Sequence, residues 1–405
     1  MDRRRAFRQA RLRLMVTVPR RPHIGALDGL RGLAVAAVLL FHAGHLRGGF
    51  LGVDLFFVLS GLLITGLLLN ERGGLMDFWA RRARRLLPAL TVMVIGTLLL
   101  AWAFAGPAML RAALQDTPWV VVQSANWHFI ADRIGYWNAS GTRLFAHLWS
   151  IGVEWQFYLA WPVVVAVAGR GPGGQRRIAL VAGAGALVSL FLMIRLGSAV
   201  DTTRAYEGTD TRAFALLLGA AAATAPVRGV VARLSRRTVD MICVPLLCGL
   251  LAAWALTGGE RAPGLFQGGM FAHSLACAVL IALLAHAPDG LVGRAVGSVM
   301  PRRLGEVSYS LYLWHWPVYL LLPRPLGGLD GWGWTMAAIG VSLAAAVVSK
   351  AVVEDPVRLR ARWAAGRRGW AALAAAALVT AGLWAAIPRP EPGAGTVDVS
   401  RLGLP

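Results

Sequence analysis

The chain of 405 residues is poor in cysteine and in charge. Its three cysteines, Cys243, Cys248 and Cys277, all fall within apolar segments, which excludes a disulfide framework of the secreted type, and no metal-binding spacing accompanies them. Charged residues make up only 15% of the sequence and hydrophobic residues 57%. One soluble core of this length would need far less apolar sequence, so we expect the surroundings of the chain to be lipid.

Acidic residues are also scarce, 20 against 41 basic ones, which gives a net charge of +21. In a soluble protein this excess would suggest a nucleic-acid partner. If each apolar segment spans a membrane, however, 28 of the basic residues fall on the side of the N-terminus and 10 on the opposite side. This asymmetry follows the positive-inside rule. The basicity therefore predicts a cytoplasmic N-terminus, and we expect no nucleic-acid partner.

Ten segments are long and apolar enough to cross a bilayer, and an eleventh, shorter and rich in alanine, is required by the charge distribution. The predicted spans lie near residues 28–45, 53–70, 86–106, 145–168, 178–197, 213–225, 239–257, 270–287, 304–322, 332–352 and 370–387. They predict an all-α polytopic membrane protein. The 40 arginines against one lysine, with abundant Ala and Gly, suggest a GC-rich bacterial genome, so we expect the cell (cytoplasmic) membrane. We expect a bundle of about 11 transmembrane helices without a soluble C-terminal domain.

The predicted spans divide the chain into four parts. Residues 1–23 resemble the charged start of a signal peptide but lack a cleavage site, and we expect a retained basic cytosolic extension. Residues 24–358 form a membrane domain of about ten spans, 359–387 a basic loop and an additional span, and 388–405 a short extracytoplasmic tail. The outer segment 107–144 is long and rich in aromatic residues, which is typical of an interfacial cap or of a lid over a substrate.

The first span carries an arginine and a histidine, Arg31 and His42, eleven residues apart. Eleven residues make about three helical turns, so both side chains share one face, about 16 Å apart along the axis. Ionisable groups at membrane depth usually face a polar interior where something is bound or transferred. Alternatively, His42 is a core residue whose hydrogen bonds are formed within the protein, and Arg31 only pairs with Asp28 one turn earlier.

Four further clusters place polar groups near or within predicted spans. Their members are His147, Ser150, Glu154 and Tyr158 on one face of the fourth span, Asp54 and Ser60 in the second, Ser308, Tyr312 and His315 in the ninth, and Arg81, Arg82, Arg84 and Arg85 in a cytosolic turn before the third.

Together these segments resemble the membrane acyltransferase family 3, whose members O-acylate lipopolysaccharide O-antigens, peptidoglycan, exopolysaccharides and some macrolides. The resemblance covers residues 24–358 and consists of six motifs in the family's order. The motifs are the Arg31 and His42 pair, F-F-V-L-S-G at 56–61, R-R-x-x-R-L-x-P at 81–88, H-x-W-S-x-x-V-E-x-Q-F-Y at 147–158, Y-S-x-Y-L-x-H-x-P at 309–317 and E-x-P at 354–356.

The sequence departs from the family in two places. Trp155 stands where many members carry a second glutamate, so a role of that second carboxylate is absent here. Some members also continue into an extracytoplasmic hydrolase-like domain of the S-G-N-H type, whereas we expect this chain to stop after a short tail.

The resemblance implies that the chain transfers an acyl group, in most members acetyl, from cytosolic acyl-CoA to a hydroxyl. The acceptor would be a glycan, a glycolipid or a similar molecule on the outer side, with no metal involved and with a possible separate extracytoplasmic transferase as partner. Arg81, Arg82 and Arg85 would bind the phosphates of acyl-CoA, because guanidinium groups pair with phosphate oxygens. Alternatively, these arginines serve only to keep this turn on the cytosolic side of the membrane.

The implied catalytic residues combine a base with groups that position it. His42 would act as a base or as a transient acyl carrier. Glu154 would orient a histidine, or would pair with His147 only to hold helices together. The predicted catalytic residues are His42, Arg31, Glu154, His147 and His315, and the predicted substrate-binding residues are Asp28, Ser60, Ser150 and Tyr312.

Two other classes of function remain open at this point. A transporter or flippase could use the same His, Glu and Arg residues as a relay, although we find neither a tandem repeat nor a convincing inverted repeat. An intramembrane metal site would have to combine His42, His45, His147 and His315, of which only His42 and His45 lie close in sequence.

Overall fold

The structure is a computed structural model, and the residues it describes are 24–70, 74–135, 137, 141–197, 201–259, 262, 264–324, 326–360 and 366–391. The predicted cytosolic extension 1–23 and most of the predicted tail, 392–405, lie outside the described residues. Within the described ranges the regular structure is helical, apart from one isolated bridge between Leu326 and Leu329. The prediction of an all-α polytopic protein is confirmed.

Sixteen α-helices follow one another in the described part of the chain. They are α1 (Gly25–His42), α2 (Gly52–Asn70), α3 (Leu75–Phe104), α4 (Pro107–Val121), α5 (Ala125–Ala131), α6 (Trp149–Ala168), α7 (Gly174–Leu196), α8 (Thr203–Glu207), α9 (Thr209–Ala222), α10 (Ala225–Val231), α11 (Arg236–Leu256), α12 (Met270–His286), α13 (Leu291–Val296), α14 (Val299–Leu321), α15 (Gly331–Ser349) and α16 (Gly366–Ala386). Short 3₁₀ turns, Gly49–Leu51 and Ala146–Leu148, precede α2 and α6.

Among the described residues, nine helical segments are long and apolar enough to cross a membrane, and a tenth is formed if α8 and α9 together with α10 are one bent span. The bend between α9 and α10 is 67°. The remaining predicted span, 304–322, corresponds to α14. Its 23 residues are long enough to span, and Tyr309, Tyr312 and His315 are among its polar residues. These groups are turned into the bundle, where Tyr312 is 7% exposed and His315 fully buried.

Two predicted loops are helical instead. The arginines of the predicted cytosolic turn lie on α3, which runs unbroken through 30 residues. At 1.5 Å per residue α3 is about 45 Å long, longer than the hydrocarbon core of about 30 Å, so its first turns extend beyond that core. We call the end of the bundle that carries Arg81, Arg82, Arg84 and Arg85 the basic end. The aromatic outer segment 107–144 contains α4 and α5 rather than an irregular loop.

Helices α1 and α14 are packed so closely that only glycine fits at the contact. A Cβ atom added to Gly32 would lie 2.0 Å from the carbonyl oxygen of Pro301, and one added to Gly305 would lie 1.8 Å from that of Asp28. Small residues allow membrane helices this approach, and the short distance brings side chains on the two helices into direct contact. The pairing places Arg31 beside Ser308 and His42 beside His315.

Candidate active site

Three histidines from separate parts of the chain meet inside the bundle. His42 ends α1, His315 lies in the middle of α14, and His147 lies in the 3₁₀ turn before α6. The His42 and His315 rings are stacked with centroids 5.1 Å apart, and the His147 ring meets His315 edge-on at 5.5 Å. We call these three side chains the imidazole layer.

The hydrogen bonds fix the tautomers of His42 and His315 when both rings are neutral. His315 Nδ1 lies 2.6 Å from the carbonyl oxygen of Tyr312, which can only accept, so Nδ1 carries the proton. His315 Nε2 must then accept, and His42 Nδ1 donates to it over 2.9 Å. The lone pair of His42 therefore lies on Nε2, the nitrogen that can act as a base.

His147 presents a second acceptor nitrogen. Its Nε2 donates to the carbonyl oxygen of Leu313 over 3.1 Å, which leaves the lone pair on Nδ1. That Nδ1 is buried and has no hydrogen-bond partner among the described residues. A ligand that reaches it must supply a donor hydrogen, as a hydroxyl does.

A large cavity opens on the side of the imidazole layer that faces away from the basic end. It has a volume of about 640 Å³ and is lined by His42 and His147. We call it the outer cavity. No aspartate or glutamate is among its described lining residues. The other side chains that matter for its chemistry are Phe41, Trp137, Trp316, Tyr319 and Arg324.

A much smaller cavity, which we call the inner pocket, lies on the other side of the layer and has a volume of about 80 Å³. Glu154 lines it, and its two carboxylate oxygens accept hydrogen bonds from the hydroxyls of Ser60 and Tyr158, each at 2.8 Å. Arg31 lines it as well, and its Nε donates to Ser308 Oγ at 3.3 Å. The polar groups of this pocket are therefore held by one another.

Two hydroxyl side chains form the boundary between the inner pocket and the imidazole layer. Ser150 Oγ and Tyr312 OH lie 2.7 Å apart, and both residues line the inner pocket. Tyr312 OH donates to the carbonyl oxygen of His147 over 2.8 Å, and its ring lies 5.4 Å from that of His315. Tyr312 thus contacts both the inner pocket and the imidazole layer, so the two adjoin one another.

The inner pocket continues toward the basic end. A bay of about 280 Å³ is lined there by arginines, and Arg82 and Arg85 line both the bay and the inner pocket. The arginines of this basic bay are Arg81, Arg82, Arg84, Arg85 and Arg358. Arg82 is 8% exposed and lies over the ring of Tyr158 at 5.8 Å, so its charge is directed at the pocket rather than at open solvent.

The predicted site residues fall into groups. The structure brings His42, His147 and His315 together in the imidazole layer and places Arg81 in the basic bay. The predicted residues that line the inner pocket are Arg31, Ser60, Arg82, Arg85, Ser150, Glu154 and Tyr312. Asp28 is placed apart from both cavities, in the first turn of α1, where its carbonyl faces Gly305.

The expectation that Glu154 orients a histidine is wrong for this geometry. Both of its oxygens are held by Ser60 and Tyr158, and the partner that orients His315 is the backbone carbonyl of Tyr312. The pairing of Glu154 with His147 is likewise not formed, because they lie on two sides of the boundary and His147 donates to Leu313. In a catalytic triad a carboxylate orients the histidine. Here the backbone carbonyl of Tyr312 orients His315 instead of the carboxylate of Glu154.

Sequence reasoning missed several residues of the site. Trp316 packs its ring 4.5 Å from that of His42, and its Nε1 donates to the carbonyl oxygen of Arg143 at 2.9 Å. Arg358 adds a cation to the basic bay. Trp316 occupies a variable position within the 309–317 motif, and Arg358 lies four residues after Glu354, so no sequence pattern singles out either residue.

A buried ion pair was also missed. Arg212 directly precedes the predicted sixth span, 213–225, but it is fully buried in α9 and pairs with Asp54 of α2, which is fully buried too. The Arg212 guanidinium lies over the ring of Trp149, the residue before Ser150. This pair fastens α2 and α9 to the start of α6, and thus supports the helix that carries Ser150 and Glu154.

His45 does not join the other histidines. Its Nε2 is hydrogen-bonded to Thr335 Oγ1 at 2.8 Å and its ring stacks on Trp332 at 3.6 Å. Within the described part of the chain, no three His, Cys, Asp or Glu residues are grouped so that they could hold a metal ion.

Comparison with known proteins gives matches over most of the chain. YrhL of Bacillus subtilis, whose name describes a peptidoglycan O-acetyltransferase, is 34% identical over 357 residues, covering 83% of this chain and 55% of YrhL. The peptidoglycan O-acetyltransferase OatA of Listeria monocytogenes is 33% identical over 353 residues, covering 84% of this chain and 56% of OatA. The O-acetyltransferase OatA of Staphylococcus aureus is 33% identical over 312 residues, 74% of this chain and 51% of that protein.

The chain spans about half the length of the curated relatives it matches. No solved structure matches it significantly. The model of the acyltransferase domain matches residues 24–351, which include the imidazole layer, both cavities and the four arginines of the basic bay that lie on α3. The chain therefore belongs to acyltransferase family 3.

Proposed function

We propose that this protein is an O-acyltransferase of the bacterial cytoplasmic membrane that moves an acetyl group from acetyl-CoA to a hydroxyl of a cell-wall glycan. One observation carries the proposal: a basic bay, a small polar pocket, an imidazole layer and a large aromatic cavity follow one another through the helix bundle. The charge asymmetry of the loops supports a cytosolic location of the basic end. The acyl donor would therefore approach from the cytosol and the acceptor from the opposite side of the membrane.

The basic bay and the inner pocket suit an acyl-CoA. Guanidinium groups pair with phosphate oxygens through two parallel N–H bonds, and Arg81, Arg82 and Arg85 supply such groups at the entrance. A single water needs roughly 10–15 Å³, so a pocket of about 80 Å³ holds about six groups of that size. This volume admits the thioester with a short acyl group such as acetyl, but no long chain.

The outer cavity suits a sugar acceptor. Its volume of about 640 Å³ is within the range of small-molecule sites, about 300–1,000 Å³. Trp137, Trp316 and Tyr319 offer flat apolar faces on which sugar rings stack, while the two imidazole lone pairs accept hydrogen bonds from hydroxyls. The names of the relatives point to peptidoglycan as the glycan.

His42 is the base of the proposed reaction. Its Nε2 takes the proton from an acceptor hydroxyl while the hydroxyl oxygen bonds to the acyl carbonyl carbon. The carbon–sulfur bond then breaks, the imidazolium returns the proton to the thiolate, and CoA thiol and the O-acyl ester leave. His315, fixed by the Tyr312 carbonyl, holds the Nδ1–H of His42 and so keeps Nε2 directed at the cavity.

The other residues position the two substrates. Arg31 and Arg82 bind the donor in the inner pocket, and Glu154 holds Ser60 and Tyr158 in place while it balances part of the positive charge there. His147 Nδ1 accepts a second hydrogen bond from the acceptor. Both cavities belong to one chain, which favours direct transfer without a separate extracytoplasmic transferase.

The test uses the full chain purified in detergent, acetyl-CoA and a cell-wall glycan fragment. We expect release of CoA thiol and a glycan product heavier by one acetyl group, both measured by mass spectrometry. A transporter or flippase has no reason to consume acetyl-CoA, so an absence of thiol release would contradict the proposal. If thiol is released and the glycan is acetylated only when a membrane extract is added, a separate transferase is required.

A further inference from the structure

The rim of the outer cavity carries one guanidinium group that the proposed chemistry does not use. Arg324 follows the end of α14, lines the outer cavity and is exposed. Its guanidinium carbon lies 3.5 Å from the centroid of the Trp334 ring. Trp334 itself is 3% exposed, and its Nε1 donates to the carbonyl oxygen of Pro323 at 3.0 Å. The cation therefore lies on a fixed aromatic platform.

Stacking of this kind leaves the donor edge of the guanidinium available. The flat face of the group is used by the indole ring, whereas the N–H bonds point outward in the plane, where a carboxylate or phosphate can accept two of them. The ion pairs formed by the described residues do not include Arg324, so no described carboxylate neutralises it.

The charge around Arg324 also favours an anion. The described lining of the outer cavity contains no aspartate or glutamate that could offset the charge of Arg324. A concave site with one sign of charge attracts ligands of the opposite sign. The outer cavity thus combines neutral hydroxyl-binding groups near the imidazole layer with a single cation at its rim.

The positions of these groups set the shape of the ligand. His315 and Leu321, the last residue of α14, are six residues apart, which is about 9 Å along the helix axis, and Arg324 lies beyond Leu321. A ligand that contacts both His42 and Arg324 has its reacting hydroxyl at one end and its anionic group at the other.

We infer that the acceptor carries an anionic group, a carboxylate or a phosphate, and that Arg324 binds this group and selects the acceptor. The inference rests on the proposed function for the identity of the reaction. The anion has two possible sources: a carboxylate on the glycan itself, or the phosphate that joins a glycan to a lipid carrier. Both would pair with the same donor edge.

Binding is measured by isothermal titration calorimetry with the full chain in detergent and three probes. The first is a cell-wall glycan fragment with one free carboxylate, the second is the same fragment with that carboxylate converted into its amide, and the third is the amide fragment with an alkyl phosphate at its reducing end. Each probe is titrated into the wild type, Arg324→Gln, Arg324→Lys and Arg47→Gln. Arg47 is a matched control, an exposed arginine beyond the end of α1 that does not line the outer cavity.

We expect the wild type and Arg47→Gln to bind an anionic probe roughly tenfold more tightly than the amide, and Arg324→Gln to bind both about equally. Arg324→Lys should retain part of the preference, because it keeps the charge but loses the planar fork. A preference for the first probe assigns the anion to the glycan, and one for the third probe alone assigns it to the carrier phosphate.

Equal binding of all three probes by the wild type, or unchanged discrimination in Arg324→Gln, would overturn the inference. Acetyl transfer to the same probes is measured in parallel. Discrimination without any transfer would refute the proposed function and leave the anion site standing. Transfer without discrimination would refute the anion site and leave the proposed function standing.

Discussion

The two cavities that meet at the imidazole layer differ in size and in the state of their polar groups. The outer cavity measures about 640 Å³ and the inner pocket about 80 Å³. In the inner pocket the charged groups are held by partners from the protein, Glu154 by two hydroxyls and Arg31 by Ser308. The outer cavity is lined by the imidazoles of His42 and His147, which are held by His315 and by the Leu313 carbonyl, and by aromatic side chains.

Under the proposed function, this difference would let one chain bind two unlike substrates. A preorganised polar pocket costs little reorganisation when a small group of fixed shape enters, which suits the acyl thioester. A wide cavity with aromatic walls and hydrogen-bond acceptors binds larger molecules rich in hydroxyls, and it leaves the choice among them to its rim. The four predictions below test this division, beginning with the largest effect.

The largest effect is expected from His42→Ala. Loss of the base should lower the acetyl transfer rate by about 10²- to 10⁴-fold, while acetyl-CoA binding at the basic end is retained. Membrane levels of the variant should match those of the wild type, because an alanine does not weaken an apolar helix. His45→Ala is the matched control, since His45 contacts Thr335 and Trp332 instead. Wild-type transfer by His42→Ala would remove the histidine from the mechanism.

The second prediction concerns the length of the acyl group. An added methylene that does not fit costs about 1–3 kcal/mol, so octanoyl-CoA should have a kcat/KM at least about 100-fold below that of acetyl-CoA. Ile64 lines the inner pocket and is 1% exposed. Ile64→Ala should therefore enlarge the pocket and shift the preference toward butanoyl-CoA. Kinetics with acetyl-, butanoyl- and octanoyl-CoA measure both effects, and an unchanged length preference in Ile64→Ala would place the acyl group elsewhere.

Much of the helical frame could be predicted from the sequence because apolar length is a local property. The spans near 53–70, 178–197, 239–257 and 270–287 agree with helices of the structure to within a few residues. The fourth span also presents His147, Ser150 and Glu154 toward the cavities, as the helical period requires. These features depend only on residues that are near one another in the chain.

What the sequence did not reveal depends on partners that are distant in the chain. Arg212 looks like a loop residue until Asp54, 158 positions earlier, is placed against it in the interior. The partner of His315 is a backbone carbonyl, which no side-chain pattern can indicate. The arginine segment before the third span looks like a turn because it is highly charged. Ala, Leu and Arg are nevertheless good helix formers, so α3 already begins at Leu75, ahead of the apolar part of the span.

The third prediction concerns the basic bay. Arg85 lines both the bay and the inner pocket, so Arg85→Gln should raise the KM for acetyl-CoA by roughly 10- to 100-fold, which corresponds to about 1.5–3 kcal/mol for hydrogen bonds to charged groups. High salt should weaken acetyl-CoA binding by the wild type in the same direction. Arg176→Gln is the control, because it removes one exposed charge from the first turn of α7 without touching the bay.

If the basic segment serves only topology, Arg85→Gln and Arg176→Gln should behave alike. The KM for acetyl-CoA would then stay at the wild-type value in both variants. A reporter fused to the C-terminus would instead change sides of the membrane. Arg81 lines the bay but not the inner pocket. If the bay binds acetyl-CoA, Arg81→Gln should therefore raise the KM for acetyl-CoA less than Arg85→Gln does.

The smallest effect is expected from Trp316→Phe at the outer cavity. The substitution keeps an aromatic face beside His42 but removes the hydrogen bond from Nε1 to the Arg143 carbonyl, which contributes about 1 kcal/mol. The KM for the glycan acceptor should rise by roughly fivefold. The KM for acetyl-CoA should stay unchanged, because Trp316 does not line the inner pocket. Trp332→Phe, which alters the aromatic partner of His45, should leave both constants at their wild-type values. A rise in the KM for acetyl-CoA would show that the two cavities do not divide donor and acceptor between them.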